Sequence, residues 1–162
     1  MATPDFILDL RESIGHAPLW LSGVTAVVVR GSEVLLVRRV DTGHWSSVAG
    51  VIDPGEEPAD AAAREILEEA GIVAEVETLV GVFAREPLRY ANGDQAQYLD
   101  LVFRCRWVSG EPTPADGENT DAAWWPLDAL PALPDTHAER LRLAVSHQGP
   151  AAFRRSAASV SP

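Results

Sequence analysis

Three glutamates close together in the chain, Glu65, Glu68 and Glu69, have the spacing that chemistry on a charged substrate would use. In a helix, residues at i, i+3 and i+4 share one face, so the three carboxylates stand side by side. Like charges at that spacing cost a helix roughly 0.2–0.5 kcal/mol per pair, and the cluster therefore calls for a compensating cation. Arg64 can neutralise part of it. A hard divalent ion with oxygen ligands, Mg²⁺ or Mn²⁺, would neutralise the rest. Three glutamates on a helix are also what an ordinary solvated face looks like, so their surroundings must decide.

The acids need a helix to hold them and a loop to deliver it. Pro58 opens that helix and Gly71 stands where a left-handed residue would end it. Ala59, Ala62, Ile66 and Ala70 form an apolar stripe opposite the acids, predicted to be the buried side. The preceding loop, Val51–Gly55, turns at Asp53-Pro54-Gly55. Upstream, Val24–Arg30 and Val34–Arg38 are β-branched runs joined by the turn Arg30-Gly31-Ser32-Glu33, which predicts a hairpin. Both are apolar throughout, as in strands covered on both faces.

Trp45–Val51 reads as a short extended piece. Val73–Ala84 and Gln97–Val108 read as longer strands, separated by a polar loop Arg85–Gln95 with an Asn92-Gly93 turn. Ser109–Asp121 is rich in Pro, Gly and acid and reads as a long loop, a kind often functional in compact domains. Ala122–Trp125 is predicted as a strand, Leu127–Leu130 as a turn of helix and Thr136–Val145 as a terminal helix. Phe6, Ile7, Leu10 and Ile14 recur at helical spacing, so an amphipathic helix opens the chain. Together these elements predict an α/β fold, a mixed β-sheet between helices in an α/β/α sandwich. Residues 1–147 are expected to form one domain and residues 148–162 a disordered tail.

The formal net charge of −11 argues against a nucleic-acid binder, which would carry a basic face. A polyanionic substrate would then need a metal or local arginines to enter. The single cysteine, Cys105, cannot form an intrachain disulfide, and no apolar run approaches the ~20 residues of a membrane span. The N-terminus lacks the order of a signal peptide, so a cytoplasmic protein with no membrane partner is expected.

The stretch Gly50–Ile72 resembles the Nudix box, G-x5-E-x7-R-E-U-x-E-E-x-G-U with U aliphatic. Gly50, Glu56, Arg64, Glu65, Ile66, Glu68, Glu69, Gly71 and Ile72 fill all nine fixed positions. The Leu35–Arg39 strand, Trp45 and the Trp124–Leu130 segment are also similar to the family. The resemblance implies the Nudix-type sandwich and a Mg²⁺-dependent pyrophosphohydrolase acting on a nucleoside diphosphate linked to another group, as in ADP-ribose or a dinucleoside polyphosphate. The alternatives are a MutT-like nucleoside-triphosphate pyrophosphatase and, from another class, a non-catalytic nucleotide sensor.

By the same resemblance Glu65, Glu68 and Glu69 bind metal and, with Arg64, carry the chemistry, Glu65 being also a candidate base. The main-chain carbonyl of Ala49 is a further metal ligand, although many relatives read Pro-Gly-Gly where this chain has Val48-Ala49-Gly50. Glu56 pairs with Arg64 to fix helix against loop, and Gly50 and Gly71 have structural roles. One more acidic ligand is expected among Asp116, Glu118 and Asp121, with Glu118 favoured. A homodimer is compatible with the family.

Arg38 and Arg39 can contact substrate phosphates through bidentate hydrogen bonds, or simply end an exposed strand. Pro87 and Tyr90 lie fifteen and eighteen residues past the box, at positions resembling the markers of ADP-ribose and dinucleoside-polyphosphate hydrolases respectively. Tyr90 is therefore a candidate substrate contact. Trp45, Trp124 and Trp125 can stack on a base, but burial in the core is the better reading for at least two of them.

Overall fold

In the computed structural model, which describes residues 3–115 and 117–155, helix α1 (Asp5–Ile14) leads into the long strand β1 (Leu19–Arg30). The turn at Gly31 returns the chain as β2 (Glu33–Arg39), in register as Arg30↔Glu33 and Val29↔Val34. Short strands β3 (Trp45–Ser46) and β4 (Val48–Val51) follow, then α2 (Pro58–Ala70) and the strands β5 (Val73–Ala84), β6 (Leu88–Arg89), β7 (Gln95–Ser109) and β8 (Asn119–Pro126). Helix α3 (Asp135–Ser146) and the two-residue strand β9 (Ala152–Phe153) complete the described residues.

The sheet is mixed. β1 and β7 run parallel over eleven registered pairs, from Leu19↔Ala96 to Val29↔Arg106, while β4 lies antiparallel to β1 and β5 antiparallel to β7. The continuous apolar runs of β1 and β2 have their predicted cause, since both faces of the sheet are covered. Val24, Ala26, Leu35 and Val37 pack with Ala62, Ile66 and Ala70 of α2 on one face. Val27, Val34 and Leu36 pack with Leu141 and Ala144 of α3 on the other. A smaller cluster, Ile7, Leu21 and Ala96, seats α1 against the sheet.

Several boundaries differ from the sequence reading. The loop expected over Arg85–Gln95 contains β6, which pairs with the start of β7 as Leu88↔Ala96, so this segment is a small hairpin. The loop expected over Ser109–Asp121 is shorter, because pairing with β2 carries β8 back to Asn119. Leu127–Leu130 forms a turn rather than helix, closed by the Ala129 N–H donating to the Pro126 carbonyl at 3.0 Å. Of the tail expected to be disordered, residues 156–162 lie outside the described residues, while Ala152 and Phe153 add β9 to the free edge of β5, parallel, as Gly81↔Ala152 and Val82↔Phe153. Arg154 anchors it through an ion pair with Glu139 and a cation–π contact 5.3 Å from the Phe83 ring.

The packing of α2 departs from a simple two-sided helix. Its buried residues are Ala61, Ala62, Glu65, Ile66, Glu69 and Ala70, whereas Ala59, expected on the buried stripe, is exposed. Two of the three acids therefore share the buried side with the alanines. The small side chains of Ala61, Ala62 and Ala70 let the helix approach the sheet closely, and Ile66 is the one large apolar group it inserts. Replacing Ile66 with Ala should destabilise the protein by about 2–5 kcal/mol, measured by urea unfolding, because a fully buried side chain leaves a cavity between two rigid elements.

Candidate active site

The site is built where β4, the loop after it and α2 meet. Arg64 is its organising cation. Its Nε donates to Glu56 Oε1 and its Nη2 to Glu56 Oε2, both at 2.8 Å, a bidentate pair that holds the loop to the helix. Nη2 also donates to the Val51 carbonyl at 3.1 Å, and the Asp53 N–H donates to Glu56 Oε2 at 3.1 Å. The guanidinium thus ties the end of β4, the turn and the helix into one piece. Hydrogen bonding from Arg64 holds the Glu56 carboxyl below the usual carboxylate range, and the same bonds hold Arg64 firmly protonated.

The remaining nitrogen faces the acids of α2. Arg64 Nη1 donates to Glu65 Oε1 at 2.9 Å and to Glu68 Oε2 at 3.3 Å. The acids are not equivalent. The Glu65 side chain is fully buried, Glu69 is 1% exposed and the Glu68 side chain is 42% exposed, so only Glu68 has the solvated environment of a surface acid. Burial pushes the Glu65 carboxyl up to about 7, against the opposing pull of the Arg64 charge.

Gly50 explains how Glu65 can be buried at all. A Cβ placed on Gly50 would lie 1.9 Å from the Glu65 Cδ and Oε1. The carboxylate occupies the space that any other residue's side chain would fill. Val48-Ala49-Gly50 runs as part of β4, with Ala49 opposite Thr25 and Gly50 opposite Val24 of β1, so the backbone beside the carboxylate is fixed by the sheet. Gly71 caps α2 in the left-handed conformation, φ 65°, with its N–H on the Leu67 carbonyl.

A second shelf comes from the start of β8. Asn119 is buried and its Nδ2 donates to Glu69 Oε2 at 3.0 Å. Glu118 precedes it, and the Glu118 carbonyl accepts from the Val40 N–H at 2.8 Å. Arg39 is held protonated chiefly by its bond to Asp41 and also feels the carboxylates of Glu69 and Glu118. Arg38 does not join it. Alternation along β2 turns Arg38 to the opposite face, where its Nε donates to the Gly43 carbonyl at 3.1 Å. Asp121 pairs with Arg38 in register and its carboxylate accepts from the Ala122 N–H, so it is spent locally; Asp116 lies outside the described residues.

Tyr90 is exposed, in the turn after β6, and its hydroxyl is 2.9 Å from that of Tyr98. The Tyr98 ring lies against Gly23, where an added Cβ would meet the ring at 3.2 Å and the Gly50 carbonyl at 3.1 Å. Tyr90 is thus connected to the box through one intervening side chain. Trp45 and Trp125 meet edge to face at 5.3 Å in the α3-side core, and Trp124 packs on the α2 side under Arg30. Cys105 is fully buried and its thiol is pushed up to about 12, which leaves it inert packing.

The donors suit a hard divalent cation. Glu65 Oε2 is buried with no hydrogen-bond partner, an acceptor that a cation or a proton would satisfy. Among the described residues no three acidic, His or Cys groups form a ready cage, and Arg64 already bridges Glu65 and Glu68. A cation held by all three glutamates would therefore have to loosen the longer of those bonds. Asn119 had escaped the sequence reading because amides in a Pro, Gly and acid-rich stretch look like loop. The available signal was its position at the head of a strand, directly after the favoured acid.

Two expectations follow. Gly50→Ala should dislodge Glu65 and abolish hydrolytic activity while far-UV circular dichroism stays native, since the clash at 1.9 Å is with a side chain and not with the sheet. In chelator, raising the pH from 5 to 8 should lower wild-type stability relative to Glu65→Gln in urea unfolding. The sign follows because the native carboxyl keeps its proton up to about 7 while the unfolded one releases it near 4.5, so the native state binds more protons in that window.

The NUDIX domain model matches residues 20–147. The chain is 40% identical over 110 residues to the NAD-capped RNA hydrolase NudC of Pseudomonas aeruginosa, covering 67% of this chain and 37% of that protein's length. It is 36% identical over 135 residues to a MutT-like protein of Streptomyces ambofaciens, covering 82% of each. The crystal structure of a MutT NUDIX hydrolase from Burkholderia pseudomallei superposes with a TM-score of 0.64 at 30% identity, over 77% of this chain and 98% of that one. With the family model matching most of its length and the box residues gathered into one site, the chain belongs to the Nudix hydrolase family.

Proposed function

We propose that the protein is a Mg²⁺-dependent pyrophosphohydrolase that cleaves the phosphoanhydride of a nucleoside diphosphate linked to another group, as in ADP-ribose or a dinucleoside polyphosphate, releasing a nucleoside monophosphate or an equivalent phosphate fragment. The observation that carries this reading is the buried Glu65 carboxylate, seated against Gly50, gripped on one oxygen by Arg64 and unpartnered on the other. Mn²⁺ would serve in place of Mg²⁺, since both take hard oxygen ligands.

Glu65 and Glu69 would hold the ion from the buried side of α2 and Glu68 from its solvent edge, with the Ala49 carbonyl and Glu118 as further oxygen donors. When bound, such an ion neutralises pyrophosphate charge and lowers the pKa of an attacking water. The chain's own groups do the rest. Arg64 keeps loop and helix at a fixed spacing, and Arg39 is the arginine on the site's side able to meet a substrate phosphate once it exchanges Asp41 for it. Glu65 is also the candidate base for the attacking water.

The name of the Pseudomonas aeruginosa relative makes a dinucleotide such as NAD the first substrate to try. A net charge of −11 favours a free nucleotide over RNA. The MutT-like relative, matched over 82% of both chains, supports a nucleoside triphosphate as the second reading.

The test is product analysis on NAD, ADP-ribose, a diadenosine polyphosphate and oxidised dGTP, with Mg²⁺ and with chelator. Monophosphates should form from at least one of the first three substrates only with the ion present. Glu65→Gln and Glu69→Gln should each lose about 10²–10⁴-fold in turnover. Pyrophosphate released from the triphosphate alone would select the second reading, and undiminished turnover by Glu69→Gln would remove the site assignment.

A further inference from the structure

Asn119 heads β8, where the strand is fixed from two directions. The carbonyl of the preceding residue, Glu118, accepts from the Val40 N–H, and Asn119 itself pairs in register with Arg39. From that fixed point its side chain crosses to α2 and donates through Nδ2 to Glu69 Oε2 at 3.0 Å. Asn119 is 5% exposed and Glu69 1%. A carboxylate taken out of water needs donors if it is to stay charged, and a carboxylate oxygen can only accept, which fixes the amide with its nitrogen toward Glu69.

The other end of the amide is then determined. Asn119 Oδ1 is buried and has no hydrogen-bond partner. An unpaired buried acceptor costs roughly 1–3 kcal/mol. It stands beside an acid of the box, at a site where a second buried acceptor, Glu65 Oε2, is unpartnered as well. Two unsatisfied buried acceptors, one on α2 and one on the strand that reaches Glu69, would suit a cation and its hydration water, since Mg²⁺ usually keeps several of its waters.

We infer that Asn119 is a positioning residue for cation binding: its amide N–H holds the Glu69 carboxylate in its ligating orientation, and its Oδ1 accepts a hydrogen bond from a water carried by the ion. The inference rests on the metal dependence proposed above. Partners of this kind, which orient a ligand without being one, typically change metal affinity by about 10–100-fold when removed.

Mn²⁺ binding to the full chain, followed by loss of the free-ion signal in electron paramagnetic resonance, tests it without any substrate. Asn119→Ala should bind Mn²⁺ about 10–100-fold more weakly than wild type. Because the N–H acts through Glu69, the double variant Asn119→Ala/Glu69→Gln should lose less affinity than the sum of the two single losses. Should Asn119→Ala fail to fold, Asn119→Ser, which keeps a polar group at the strand start but cannot span to Glu69, takes its place with the same expectation. Wild-type affinity in the variant, or losses that add in the double variant, would overturn the role of Asn119 while leaving the metal site standing. A wild type that binds no Mn²⁺ would instead remove the metal-dependent reading, and this inference with it.

Discussion

The structure depends on placing a carboxylate where a side chain should be. Glu65 lies against the bare backbone of Gly50, and that contact sets the distance between α2 and β4. Burying a carboxylate without partners is costly, so the fold surrounds it with compensation. Arg64 supplies one charge-assisted bond to Glu65 and spends its other nitrogens on Glu56 and the Val51 carbonyl. The guanidinium therefore neutralises the acid and locks the loop that follows Gly50. Lysine could supply the charge but not the fork, because three simultaneous directions need the planar geometry of arginine.

This arrangement explains what the sequence could and could not disclose. The register of Gly50, Glu56, Arg64 and Glu65 was legible because each is the partner of another at fixed covalent spacing, within one loop and one helix. The two-sided burial of β1 and β2 was legible from unbroken apolar runs. Ala59 misled, because a helical stripe drawn by hydropathy alone cannot anticipate that acids will occupy the buried side; only the missing side chain at Gly50 makes room for them. Asn119 and β9 were hidden for a different reason. Their structure is decided by pairing with segments some eighty and seventy residues earlier, with Arg39 and Gly81, and local composition carries no trace of such a partner.

The opposite face of the sheet carries a second buried ionic group that no pattern announced. Asp100 accepts from Thr25 Oγ1 at 2.8 Å, and its other oxygen meets Arg140 of α3 at 2.7 Å and Arg85 at 3.5 Å. Breaking a buried pair of this kind costs more than forming it gains, so it favours one docking position of α3 over its neighbours rather than adding much stability. The two faces are thus fixed by similar means, each with an arginine closing a buried acid. They differ in that Asp100 is provided with three donors, while Glu65 retains an oxygen without one.

That difference separates chemistry from selection. The hairpin of β6 and β7 is tied to α1 by Asp94, which meets His16 at 2.8 Å and Arg11 at 3.4 Å, while Arg11 also donates to the Gln95 carbonyl. The turn so held carries Tyr90, whose hydroxyl leans on Tyr98, whose ring in turn lies over Gly23 beside the Gly50 carbonyl. An element before the matched domain, α1, is therefore mechanically continuous with the edge of the box. Glu56, Glu65 and Glu68 cannot change without loss of the Arg64 network. Residues of α1 and the hairpin lie outside that network and reach the box through the Tyr90–Tyr98 pair and through apolar packing that includes Val51. In this outer layer side chains can change while the buried charges of the box stay as they are.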